Sequence, residues 1–105
     1  MIKPLLEGKG GMNRPRYTAH ALERMFERGI SPSDCESVLE TGDVIETYPD
    51  DQPFPSELRL GFVNDRPIHL VVSRDNETVH VITAYEPSRL RWEEDFRKRR
   101  SKSDD

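Results

Sequence analysis

The chain has 105 residues, 33% of them hydrophobic and 34% charged, with a net charge of −4. That length supports one domain with a single modest core and excludes two. The acidic balance argues against a general nucleic-acid coat protein, the lack of any long apolar run against a membrane span, and the single cysteine, Cys35, against an internal disulfide. With no signal-peptide core at the N-terminus, the expectation is a cytoplasmic protein.

The average charge hides an asymmetry. Between Ser31 and Leu58 there are eight acidic residues and no Lys or Arg, whereas Ser88–Lys102 carries seven basic residues against three acidic ones. Arg outnumbers Lys twelve to four, and guanidinium is the better fork for phosphate oxygens. The split suits one anion-seeking surface and one acidic surface free to meet a basic partner.

In chain order, residues 1–16 are rich in Gly and Pro without periodicity and read as a flexible lead-in, within which Met12 is an alternative start. A first helix opens at Thr18, whose hydroxyl is placed to cap it, with Tyr17 packing on Leu22 as a hydrophobic staple. A helical wheel assigns its buried arc to Ala19, Leu22, Met25 and Phe26, and Gly29 ends it in a left-handed conformation. Ser31 caps a second helix with Pro32 at its first position and Asp34 three residues on; Cys35, Val38 and Leu39 form its apolar face, and Gly42 closes it. The pattern then changes period. Val44–Tyr48 alternates like a strand, a proline-rich loop follows, Leu58–Val63 and Ile68–Ser73 flank an Asn64-Asp65 hairpin turn, and Thr78–Tyr85 is the last strand. Arg89 to about Arg99 reads as a basic C-terminal helix with Trp92 and Phe96 on one side. The expected fold is α+β, with two short N-terminal helices, a four-stranded antiparallel meander and that basic helix. The expected domain spans 17–100, with 101–105 as a disordered tail.

Candidate chemistry begins with His20, Arg24 and Arg28, four residues apart on the first helix. His20 sits in the first turn, where the helix dipole and the two arginines disfavour imidazolium and leave the neutral form a general base needs. The same stripe also fits a solvated face paired to Glu23 and Glu27. His69 is a polar residue inside the apolar strand Ile68–Val72. A two- or four-residue loop around Asp75-Asn76 places His69 on the face of His80, and a three-residue bulged loop places it on the face of Tyr85, because a slip of one residue exchanges faces. His80 reads as a surface residue. Tyr85 closes the last strand, where its phenol can bind a phosphate oxygen or simply pack its ring. Arg89, Arg91, Trp92, Arg97, Lys98, Arg99 and Arg100 form a basic, aromatic-bearing tail able to grip an RNA backbone and stack a base, or to anchor its aromatics on the sheet and leave its charges in water. Three isolated histidines and one cysteine lack paired ligand spacing, so no metal is expected, and with no glycine-rich phosphate loop or nucleophile elbow, no cofactor either.

The ordered runs His20–Met25, Arg28–Ser31, Gly42–Glu46, Pro53–Pro55, Leu60–Phe62, Pro67–His69 and Val81–Pro87, with Trp92 after them, resemble domain-of-unknown-function family 4258, small prokaryotic proteins, over roughly residues 17–100. That family in turn distantly resembles the RelE-like toxins of toxin–antitoxin systems. The resemblance implies a small α+β ribonuclease that works without metal and is silenced by a cognate antitoxin, a zinc-finger or helix-turn-helix protein. On this expectation His20 or His69 takes the proton of a ribose 2′-hydroxyl, Arg24 and Arg28 steady the phosphoryl charge, and Tyr85 or the other histidine protonates the departing 5′-oxygen. Single-stranded RNA is the expected substrate. The alternative is a non-catalytic RNA- or protein-binding module on the same fold.

Overall fold

The computed structural model of the protein describes residues 14–100. The element order is β1 (Arg16–Tyr17), α1 (Ala19–Arg28), α2 (Pro32–Thr41), β2 (Asp43–Tyr48), β3 (Ser56–Val63), β4 (Arg66–Asp75) and β5 (Thr78–Tyr85). The class is α+β, as expected, but the sheet has five strands in the order β1-β5-β4-β3-β2 and is mixed. The extra strand is Arg16–Tyr17, which runs parallel to β5 with Tyr17 opposite Val81. Two residues are too few to show a period of two, so the lead-in as read from sequence concealed it. Met12 and the rest of 1–13, and the expected tail 101–105, lie outside the described residues.

The helix boundaries follow their caps. Thr18 accepts from the Ala21 N–H, and Ser31 and Asp34 form a reciprocal capping box across Pro32. Gly29 is left-handed, at φ 68°, and the Ile30 N–H reaches back to the Met25 carbonyl at 2.9 Å. This Schellman closure drives Ile30 into the core beside Met25. It also fixes the roll of α1, and here the expected arc is corrected. Ala21 and Met25 are buried, whereas Ala19 is exposed, Leu22 is 47% exposed and Phe26 88%. At about 100° per residue, Ala21, Met25 and Arg28 share the inward face, while Leu22 and Phe26 lie on a second apolar strip that the link to Ile30 turns outward.

Alternation along the strands separates two faces. Ile68, Leu70 and Val72 of β4 join Val79, Val81 and Ala84 of β5 under the helices. Leu58 and Leu60 of β3 point the other way, with Val71 packed against them, and are covered by Trp92 and Phe96. The β3–β4 hairpin turns through Asn64 and Asp65, both at positive φ as a primed turn requires. The β4–β5 hairpin closes on a two-residue loop, and the register then slips where Val71 pairs Thr83 but Val72 pairs Val81, leaving Ile82 as the extra residue. A second bulge at Ile45 separates Val44 opposite Arg59 from Glu46 opposite Leu58.

The expected C-terminal helix is not formed. Residues 88–100 make a strap of turns with an antiparallel bridge between Trp92 and Arg99. Asp95 accepts from the Arg97 N–H and Ser88 from the Leu90 N–H, local bonds that compete with a helix. Arg97 and Arg99 both reach β2, at Asp43 and Glu46. Residues two apart sit on opposite sides of a helix but can share a side in extended chain. No described helix is long and apolar enough to cross a membrane.

Candidate functional site

The site grows from the sheet face opposite the helices. The bulge at Ile82 places Tyr85 directly opposite His69. His69 is fully buried, with its ring centroid 5.3 Å from that of Tyr85 and 4.4 Å, edge-on, from Trp92. Its Nε2 lies 2.8 Å from the Phe96 carbonyl oxygen and its Nδ1 3.3 Å from the Tyr85 hydroxyl. A carbonyl can only accept, so Nε2 carries the proton and donates it. In the neutral ring Nδ1 is then an acceptor, and the Tyr85 O–H donates to it. Burial pushes the His69 imidazole below its ordinary value; the Phe96 carbonyl and Glu46 oppose that shift and Arg99 adds to it. Burial likewise raises the Tyr85 phenol, and Arg99 partly offsets the effect.

Tyr85 also faces outward. It lines a cleft of about 580 Å3 with Arg28, Arg66, Glu86, Ser88, Arg91, Trp92 and Arg99. The four guanidinium groups differ in what they have left to offer. Arg66 is the most engaged: its Nε donates to Glu86 at 2.9 Å, Nη1 to the Gly29 carbonyl at 2.9 Å and Nη2 to the Arg28 carbonyl at 2.7 Å. It ties the C-terminus of α1 to the end of β5, where a cation also suits the helix dipole. Arg28 gives one Nη1 bond to the Ala84 carbonyl at 2.9 Å and keeps its other donors. Arg91 has no side-chain hydrogen bond or ion pair among the described residues. Arg99 donates Nε and Nη2 to Glu46 at 3.0 and 3.1 Å, and its guanidinium carbon sits 4.7 Å from the Trp92 ring centroid. Burial works to raise the Glu46 carboxyl, but hydrogen bonds from Arg99 and Tyr48 outweigh it and hold the carboxyl below its ordinary value.

Of the residues anticipated from sequence, the cleft gathers Arg28, Tyr85, Arg91, Trp92 and Arg99, with His69 directly behind Tyr85. His20 and Arg24 do not line it. His20 is exposed in the first turn of α1, and Arg24 pairs with Glu27 at 3.0 Å. On the helix their stripe drifts toward the sheet by about 40° every four residues, so only its last member, Arg28, arrives. Most of the rest of the basic tail is occupied. Arg97 meets Asp43 at 3.2 Å, Arg100 donates to the Arg89 carbonyl at 2.6 Å, and Arg89 lies over the Phe96 ring at 5.2 Å. Lys98 is exposed, and His80 pairs with Ser73 away from the site.

Glu46, Tyr48, Arg66, Glu86 and Ser88 also belong to this site, and no sequence pattern marks them as such. Only the bulge at Ile45 could have flagged Glu46, since without it Asp43 and Glu46, three residues apart, fall on opposite faces. Among the described residues no group of His, Cys, Asp and Glu is arranged to hold a metal. The arrangement can bind an anion on three guanidiniums beside a phenol that is hydrogen-bonded to a buried imidazole.

No curated protein and no solved structure matches the chain. One family does, described as Domain of unknown function (DUF4258), over residues 17–86. These residues run from β1 through β5 and include Glu46, His69, Tyr85 and Glu86, and the chain belongs to that family.

Proposed function

We propose that the protein is a metal-independent, RelE-like endoribonuclease, the toxin half of a toxin–antitoxin pair, and that it holds a single-stranded RNA phosphodiester in the Arg28–Arg91–Arg99 cleft. One observation carries the reading: the Tyr85 hydroxyl belongs at once to the basic cleft and to the buried His69. Tyr85 oxygen accepts the proton of the ribose 2′-hydroxyl while its own proton passes to His69 Nδ1. The 2′-oxygen forms its bond to phosphorus, and the bond from phosphorus to the 5′-oxygen breaks. That oxygen takes a proton from solvent, leaving a 2′,3′-cyclic phosphate and a 5′-hydroxyl. Arg28 and Arg91 meet the charge that grows on the phosphoryl oxygens, usually the largest catalytic contribution. The exposed carboxylates of the α2–β2 region that the strap does not engage, Glu40 and Asp50, are the surface offered to a basic antitoxin.

The test is cleavage of a single-stranded RNA by purified protein, with growth and total RNA followed after inducible expression. Tyr85→Phe keeps the ring and removes the proton carrier, and is expected to slow cleavage by roughly 100-fold or more. Arg28→Ala/Arg91→Ala should abolish both cleavage and growth arrest. Folded wild-type protein that binds RNA without cutting it supports the non-catalytic binding module instead. Full activity in Tyr85→Phe ends the proposed mechanism.

A further inference from the structure

We propose that Glu46, with Tyr48 behind it, is a positioning residue that presents Arg99 to a phosphate in the cleft; this rests on the phosphodiester-binding reading above. A guanidinium has five N–H groups on two usable edges. Glu46 takes the side-on edge of Arg99 through Nε and Nη2, and the Trp92 ring supports one face. The Tyr48 hydroxyl also interacts with this guanidinium; the Nη1 protons make no hydrogen bond to protein among the described residues, and Arg99 lines the cleft. Arg99 is therefore held by Glu46 and Tyr48 and on one ring face, with its Nη1 donors left for phosphoryl oxygens.

Glu46 is itself held. The Ile45 bulge turns it onto the sheet face that bears Leu58 and His69, and the Tyr48 hydroxyl donates to Oε1, the oxygen that also receives Arg99 Nη2. Stability alone is a weak account of this pair. The Arg99 side chain is 59% exposed, and ion pairs so wetted contribute little. Arg66 shows the contrast within the same cleft: each of its three nitrogens already donates one bond to protein, leaving only two separated Nη protons.

The experiment is equilibrium binding of a short oligouridylate to the full chain, comparing wild type, Glu46→Gln, Glu46→Asp, Arg99→Ala and the Glu46→Gln/Arg99→Ala double variant. Trp92 is the only tryptophan, so its emission reports the Arg99–Trp92 contact before any RNA is added. Glu46→Gln and Glu46→Asp are expected to weaken binding by roughly tenfold, the scale of a charge-assisted hydrogen bond. Both should shift Trp92 emission in the direction that Arg99→Ala does. Adding Glu46→Gln to Arg99→Ala should weaken binding no further. An equal loss in both backgrounds overturns the proposal, because Glu46 then acts without Arg99. Unchanged Trp92 emission in folded Glu46→Gln and Glu46→Asp overturns it independently of RNA. Wild-type protein that fails to bind the oligouridylate removes the phosphodiester reading and this role with it, a result separable from the emission test.

Discussion

His69 shows how one side chain can be both structural and poised for chemistry. Neutral, it satisfies the Phe96 carbonyl and accepts from Tyr85; charged, it has two donors, one of them aimed at a phenol that must then turn its proton away. Its proton affinity is lowered on folding, chiefly by burial, from an ordinary value of 6.5. The unfolded chain therefore binds more protons than the folded one just below pH 6.5, and stability rises with pH there. The contribution is complete above pH 6.5 and is lost as pH falls from that value through the lowered folded one. Urea unfolding at pH 7.5, 6.0 and 5.0 should show the wild type weakening over this range and His69→Gln weakening less. Glu46, held below its ordinary 4.5, acts in a separate and more acidic window. A wild-type midpoint unchanged from pH 7.5 to 5.0 would mean that His69 is not kept neutral by folding.

At the scale of elements, the two glycines that end the helices are alike in sequence and different in cause. Gly29 needs a conformation: its φ is 68°, and an added Cβ meets nothing within 4 Å. Gly42 needs space: its φ is −84°, open to any residue, but a Cβ there lies 2.5 Å from the Leu60 carbonyl oxygen and 2.6 Å from that of Val38. Backbone atoms on both sides cannot step aside as a side-chain end can. Gly29→Ala is expected to cost about 1 kcal/mol in left-handed strain, and Gly42→Ala about 2–3 kcal/mol from overpacking where α2 approaches β3. Thermal unfolding of the two variants side by side checks the order, and a reversed order would contradict this assignment of causes. Both positions were readable as helix ends from the sequence. Why each is glycine was not, because the Gly42 clash involves Leu60, on a strand that returns only after a long loop.

At the scale of the whole molecule, the strap over the second sheet face is held by its aromatics. Trp92 is 3% exposed and Phe96 6%, whereas the Arg97–Asp43 pair is 45% and 65% exposed. Trp92→Ala is expected to cost about 3–5 kcal/mol and to uncover His69, and Arg97→Ala about 1 kcal/mol or less. Denaturant midpoints, with acid titration of His69 followed by NMR in each variant, test both expectations. An Arg97→Ala loss as large as that of Trp92→Ala would make the strap an electrostatic device. Sequence by itself determined what depends on neighbours along the chain: the α+β class, both helix starts through Thr18 and Ser31, the left-handed end at Gly29, the Asn64-Asp65 turn, and the placement of Arg28, Tyr85 and the basic tail among the candidates. Tertiary structure decided the roll of α1, the bulges at Ile45 and Ile82, the parallel strand β1 and the folding of residues 88–100 as a strap. Each of these follows from contacts between distant segments. A one-residue bulge exchanges every later side chain between faces, and a helix bearing two apolar strips buries the one that its neighbours reach.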